Sequence, residues 1–226
     1  MASELPASPR FFVLQDEPLW SRYDVEADAI KPINLDEGTS CPTCGGGIGA
    51  RLWLPPYRAN LVLYGEELGD FVKLVGHDLL VSERFAQAFQ EEGLTGLRGF
   101  HPLEVPRVRR RKRGPKPSHI PQYLVAWTGY GPAAMDLEHS HIRWWDESPT
   151  CEWCRSAIKK GVFGFRVEPG TWQGEDICRP RGLFGHLLVS ERFQRFVARN
   201  GFTNMRLTPT EEYEWDTLAP KRASTP

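Results

Sequence analysis

The heptapeptide LLVSERF occurs twice in this chain, at Leu79 to Phe85 and again, letter for letter, at Leu187 to Phe193. A repeat this exact constrains the fold first, because both copies must adopt similar local structure. The match continues downstream. Gly93, Thr95 and Arg98 return 108 positions later as Gly201, Thr203 and Arg206, giving ten identities over the twenty positions from Leu79 to Arg98. Upstream, Cys41 and Cys44 return at an offset of 110 as Cys151 and Cys154, and Gly76-His77 is echoed by Gly185-His186. Both halves thus run in one order, CxxC, Gly-His, LLVSERF and glycine, and the chain reads as a tandem duplication.

Each repeated unit has a physical reading. Leu-Leu-Val suits the buried end of a strand, and Ser82 or Ser190 then suits a helix N-cap, its hydroxyl accepting from the free amides of the first turn. In the helix that follows, Phe85, Ala88 and Phe89, or Phe193, Phe196 and Val197, fall at i, i+3, i+4 and form one apolar face. Gly93 and Gly201 sit where a left-handed residue ends a helix. Extended pieces over 94–100 and 202–208 are expected to return as strands that hold the helix down.

The segment 102–121 is rich in Pro, Arg and Lys, and its composition predicts a solvated linker or long loop. The expected organisation is an N-terminal lobe over 1–101, this basic segment, a C-terminal lobe over 122–218 opening on a strand at Tyr123 to Trp127, and a frayed tail over 219–226. The fold class expected is α+β: two homologous lobes, each a small sheet with one amphipathic helix and a CxxC knuckle, joined face to face near the knuckles.

The cysteine pairs carry the strongest chemical signal. Two thiolates three positions apart on a tight turn can bind one tetrahedral zinc, and two such turns complete a four-cysteine shell. Cys41-Pro-Thr-Cys44 is followed by three glycines, which free the backbone to turn in toward the sulfurs, whereas Cys151-Glu-Trp-Cys154 is followed by Arg155. The second knuckle is therefore expected to be less ideal. Because 106 residues separate Cys44 from Cys151, a single shared zinc requires the two halves to bring their knuckles together. Unmetallated thiols, and a site in which each pair recruits His77 or His186, are the alternatives. A redox CxxC would want a helix N-terminus after a strand, which neither flank supplies. Cys178, the fifth cysteine, reads as a small buried residue.

No run approaches the roughly 18 apolar residues of a membrane span, and the opening MASELPASPRFFVLQDEP lacks a charged segment followed by an apolar one. The expected location is the cytoplasm, where thiols stay reduced and CxxC pairs favour metal over disulfides. No phosphate-binding glycine loop, HExxH, GxSxG or dinucleotide fingerprint occurs in the sequence, so a non-enzymatic protein without a small-molecule substrate is expected. Glu138-His139-Ser140-His141 looks like an alternating strand without a third convergent partner.

Charge is unevenly spread. Arg107, Arg109, Arg110, Arg111, Lys112, Arg113 and Lys116 put seven cations into one stretch of a chain whose formal charge is −1, so the remainder is acidic. The stretch could contact phosphates of a nucleic acid, but no aromatic residue is interleaved to stack on bases; a solvated linker or contact with an acidic partner are the other readings. Near the C-terminus, Glu211, Glu212, Tyr213, Glu214, Trp215 and Asp216 combine carboxylates with large aromatics, either a recognition edge for a basic partner or an exposed strand with ordinary surface charge.

The arrangement of RFFVLQDEP, CPTCG, an LLVSERF helix followed by GLTGLRG, and then a second CxxC with a second helix resembles the double-CXXCG motif family of myxobacterial proteins. The resemblance covers most of the chain. It places Cys41, Cys44 and Gly45 on the first motif and Cys151 and Cys154 on the second, with Arg155 departing from the motif glycine. The family includes immunity proteins of a swarming-inhibition toxin system. The resemblance therefore implies a cytoplasmic protein that binds and neutralises a cognate toxin, expected to be basic and of the nuclease kind. The alternative is a zinc-containing, nucleic-acid-associated protein using the basic segment.

Overall fold

The structure is a computed structural model that describes residues 9–19, 21–74, 78–111, 114–145 and 149–218. The tail 219–226, together with Gly76, His77, Lys112 and Arg113, lies outside the described residues. In chain order the elements of the first half are β1 (Phe11–Gln15), β2 (Val25–Ala29), β3 (Asn34–Leu35), β4 (Trp53–Leu54), β5 (Ala59–Leu63), β6 (Phe71–Lys73), β7 (Asp78–Ser82), α1 (Glu83–Glu91), β8 (Leu97–Pro102) and β9 (Val108–Arg110). There follow β10 (Tyr123–Thr128), β11 (Tyr130–Ala134), β12 (Ile142–Trp144), β13 (Lys159–Phe163), β14 (Ile177–Arg181), β15 (Leu187–Ser190), α2 (Glu191–Asn200), β16 (Arg206–Pro209), a 3₁₀ turn at Thr210–Glu212 and β17 (Glu214–Asp216). The fold is α+β, with strands far outweighing the two helices.

Two sheets dominate, a five-stranded one in the order β11-β14-β15-β1-β16 and a four-stranded one in the order β6-β7-β10-β8. Each half supplies a strand to the other half's sheet. β1 lies between β15 and β16, with Phe12 opposite Val189 and Pro209, and β10 lies between β7 and β8. The sequence of β1 explains its place. Phe12 and Leu14 enter the core shared by both helices, while Phe11 and Val13 enter a second core on the opposite face. A strand apolar on both faces is stable only in a sheet interior, where each such side chain contributes roughly 2 kcal/mol by leaving water. β10 divides in the same way, Tyr123 and Val125 facing one core and Ala126 the shared one.

The repeated helices begin and end as their sequences dictate. Ser82 accepts from the Phe85 amide at 3.3 Å and Ser190 from the Phe193 amide at 3.2 Å, while Gly201 closes α2 with φ of +59°. α2 buries Phe193, Phe196 and Val197 as expected. α1 buries Phe85, Ala86 and Phe89, with Ala88 at the margin of the core, because α2 crosses close by: Phe85 and Phe196 meet at 5.5 Å between ring centroids.

A reciprocal clasp locks the two repeats together. Buried Asp70 accepts from the Ser82 hydroxyl at 2.6 Å, from Arg84 at 2.7 Å and from the amide and hydroxyl of Thr203, each at 2.9 Å. Buried Asp176 accepts from the Ser190 hydroxyl and from Arg192, each at 2.9 Å, and from the Thr95 amide at 3.0 Å. Each repeat's aspartate thus holds its own helix cap and the other repeat's threonine.

The basic segment differs from the expected linker. Leu103 is buried, Val105 and Val108 pack on the core behind the four-stranded sheet, and β9 pairs in parallel with β5 in a sheet ordered β2-β5-β9. The alternation around Val108 turns its apolar side chain inward while Arg107, Arg109 and Arg111 are exposed. Composition alone hid that strand. The last sheet, β12-β13-β17, and the hairpin β3-β4 complete the fold.

Candidate metal centre

Each knuckle is the tip of a hairpin. Cys41 and Cys44 lie between β3 and β4, and Cys151 and Cys154 between β12 and β13. In the first, the Gly45 amide donates to the Cys41 carbonyl at 2.9 Å, the Cys41 amide to Gly46 at 2.7 Å, and the Thr43 amide to the Cys41 sulfur at 3.4 Å. Gly45 has φ of +72°, a left-handed conformation that glycine adopts freely.

In the second knuckle the Arg155 amide donates to the Cys151 carbonyl at 2.9 Å, and Arg155 has φ of +52°. Arginine therefore occupies the glycine position with the turn intact, at a backbone cost of about 1 to 2 kcal/mol. Its side chain offsets that cost by donating to the Met135 carbonyl at 2.6 Å and the Glu152 carbonyl at 3.2 Å, and by pairing with Glu168.

The two tips meet. The four sulfurs all lie within 4.8 Å of one another, with Cys41 to Cys151 and Cys44 to Cys154 each at 3.8 Å. Four sulfurs bound tetrahedrally to zinc at about 2.3 Å stand roughly 3.8 Å apart, the separation of these two contacts. All five cysteines are free thiols. The donor set and its spacing are compatible with a four-cysteine metal site.

Apolar and aromatic side chains enclose the sulfurs. Ile48, Tyr130, Trp153 and Phe184 pack around the sulfurs, leaving Cys44 as the exposed member while Cys41 and Cys154 are 3 % and 2 % exposed. Burial raises the Cys41 thiol, but the amides of Cys44 and Thr43 and the neighbouring sulfurs bring it down to about 6; the Cys154 amide likewise lowers Cys151. Burial pushes Cys154 up to about 12, and the sulfurs of Cys41 and Cys151 raise Cys44 against the pull of the Gly46 amide. A divalent cation bound by the four sulfurs would displace their protons. Burial lowers half-buried Lys159 to about 8, against an opposing pull from Cys154. Arg181 lies over Trp153 at 5.5 Å, and fully buried Arg179 donates to the Phe184 carbonyl at 3.1 Å.

The other sequence-derived residues lie elsewhere. His186 is half-buried against Tyr213 and Trp215 and is no part of the cysteine cluster. His139 sits in a bend, its Nδ1 2.9 Å from Asp136, so the expected strand there is a turn stabilised by that carboxylate. Cys178 is buried and its thiol is raised to about 12 by burial.

The acidic edge divides by the pleat. Glu211, Glu212 and Glu214 are exposed, but Tyr213 is 2 % exposed and packs on Phe165 at 6.2 Å, while Trp215 lies against the same core. Those aromatics support the fold and do not project as anchors. Asp216 pairs with Arg143. In the basic segment Arg109 pairs with Asp28 at 3.2 Å and Arg110 donates to the Gly65 carbonyl at 2.9 Å; Lys116 is exposed.

Asp70, Asp176 and Arg179 went unnoticed in the sequence. The recurrence of Thr95 and Thr203 was the available signal for the first two, since each threonine is the far end of a clasp.

Compared with known proteins, the chain matches no family model and no curated protein.

Among the described residues no helix is long and apolar enough to cross a membrane.

Proposed function

We propose that this chain is a cytoplasmic immunity protein of the double-CXXCG type, a rigid binder stapled by one structural zinc ion that neutralises a cognate protein toxin. The observation that carries the reading is the convergence of four cysteine sulfurs to within 4.8 Å of one another from hairpins more than a hundred residues apart. A shell completed by four protein thiolates leaves no open position for substrate, which is the signature of structural zinc. The clasp, in which equivalent side chains swap partners, supports descent of both halves from one duplicated unit. Exposed Glu211, Glu212 and Glu214 supply acidic groups able to steer a basic toxin.

Metal analysis of the purified chain should give one zinc per molecule. The protein should also bind a cognate toxin and block its activity without turnover. A metal-free chain would remove the staple, and failure to bind and inhibit such a toxin would remove the immunity role.

A second reading, contact with nucleic acid, draws on β9. Exposed Arg109 within it and exposed Arg107 and Arg111 on its flanks stand at alternate positions of the chain, about 6.6 Å apart where it is extended, a row able to meet a phosphate backbone. This reading requires salt-sensitive binding of DNA or RNA that disappears in the R107Q/R111Q variant.

A further inference from the structure

Resting on the zinc reading above, the sulfur geometry also specifies how the centre responds to oxidant. The 3.8 Å contacts, Cys41 with Cys151 and Cys44 with Cys154, both run between hairpins. Within the first knuckle, the Cys41 sulfur is engaged by the Thr43 amide and the turn is closed by the Gly45 amide. Exposure sets the order of attack. Cys44 is open to solvent, whereas Cys41 and Cys154 are buried and Cys151 is half-buried.

We infer that a peroxide converts the centre into two disulfides, Cys44 to Cys154 and then Cys41 to Cys151, releasing zinc while the same two hairpins stay tied together. In the first step the Cys44 thiolate attacks a peroxide oxygen, the O–O bond breaks, and a sulfenic acid and one hydroxide form. The Cys154 thiolate then attacks the Cys44 sulfur and expels a second hydroxide, giving the disulfide. Four electrons leave four thiolates, two molecules of hydrogen peroxide become four hydroxides, and the zinc ion departs unchanged in oxidation state. With two of its four ligands consumed, zinc is held by Cys41 and Cys151 alone and is lost as they react in turn. The outcome is a substitution of cross-links. A metal staple becomes a pair of covalent ones spanning the same gap, and a thiol reductant with zinc restores the starting state.

The test uses the full chain loaded with zinc, exposed to hydrogen peroxide. Zinc release is followed with a colorimetric chelator, and disulfides are mapped by mass spectrometry of peptides. Expected are one zinc released for four thiols lost, Cys44-Cys154 peptides appearing before Cys41-Cys151 peptides, and Cys178 staying reduced until the protein is unfolded. The oxidised chain should keep its hydrodynamic radius and a cooperative unfolding transition. Cys44→Ser should slow zinc release at least tenfold; should that variant not fold, the mapping on the unaltered chain decides. Bridges confined to Cys41-Cys44 and Cys151-Cys154, or Cys41-Cys151 forming first, would overturn the inference while leaving the zinc reading intact. A chain purified without metal would instead overturn the zinc reading.

Discussion

Placing a glycine after Cys154, where the first knuckle has Gly45 after Cys44, should weaken the protein. Arg155 holds φ of +52°, so Arg155→Gly relieves about 1 kcal/mol of left-handed strain. Glycine also gives the unfolded chain more freedom, which returns roughly 0.5 to 1 kcal/mol of that gain. What is lost is the guanidinium: bonds to the Met135 and Glu152 carbonyls and a pair with Glu168, from a side chain 16 % exposed. Two hydrogen bonds from a charged donor and a partly buried ion pair come to about 2 to 3 kcal/mol. The net expectation is a loss of about 2 kcal/mol, or roughly 6 °C in midpoint for a chain of this size. Arg155→Ala keeps the strain and loses the same contacts, so the expected order of stability is wild type, then R155G, then R155A. Urea denaturation at saturating zinc measures all three. An R155G protein more stable than wild type would show that the side-chain contacts contribute little and that the turn is governed by backbone strain alone.

Asp70→Ala and Asp176→Ala should each destabilise by about 3 kcal/mol, because each strands a helix-cap serine, an arginine and a threonine of the opposite repeat; a double mutant costing the plain sum would show that the clasps do not cooperate. His186 is held neutral, its value lowered to about 3 chiefly by burial. A depressed base adds stability above its unfolded value, near 6.5, that is lost as pH falls toward 3, so urea stability should drop by roughly 2 kcal/mol between pH 7 and pH 5. His186→Phe should flatten that slope, and an unchanged slope would place its origin elsewhere.

The parts of this fold legible in the sequence are those written in local pattern. Ser82 and Ser190 cap their helices because a hydroxyl ahead of an apolar-periodic run can accept from the free amides of the first turn, and the CxxC pairs converge as a shared four-cysteine site requires. Glu212, Tyr213, Glu214, Trp215 and Asp216 alternate charge and aromatic, but the density of charge suggests a recognition edge and obscures the period of two that turns the aromatics inward. Composition obscured β9 in the same way. Strand exchange was beyond reach, since Phe11–Gln15 shows by its composition that it is buried but not which strands flank it. Asp70 and Asp176 stand 106 positions apart, whereas the threonines they hold stand 108 apart, so simple self-alignment does not pair them.

The lodging of β1 between β15 and β16 has a consequence during synthesis. Strand Phe11–Gln15 leaves the ribosome well before its flanking strands, which arrive almost two hundred residues later. At translation speeds of about 5 to 20 residues per second, this sticky segment waits roughly 10 to 40 seconds without a berth. A nascent chain of this design needs a holdase or a temporary resting place on its own first half, and a cell that truncates it before residue 206 makes an aggregation-prone fragment.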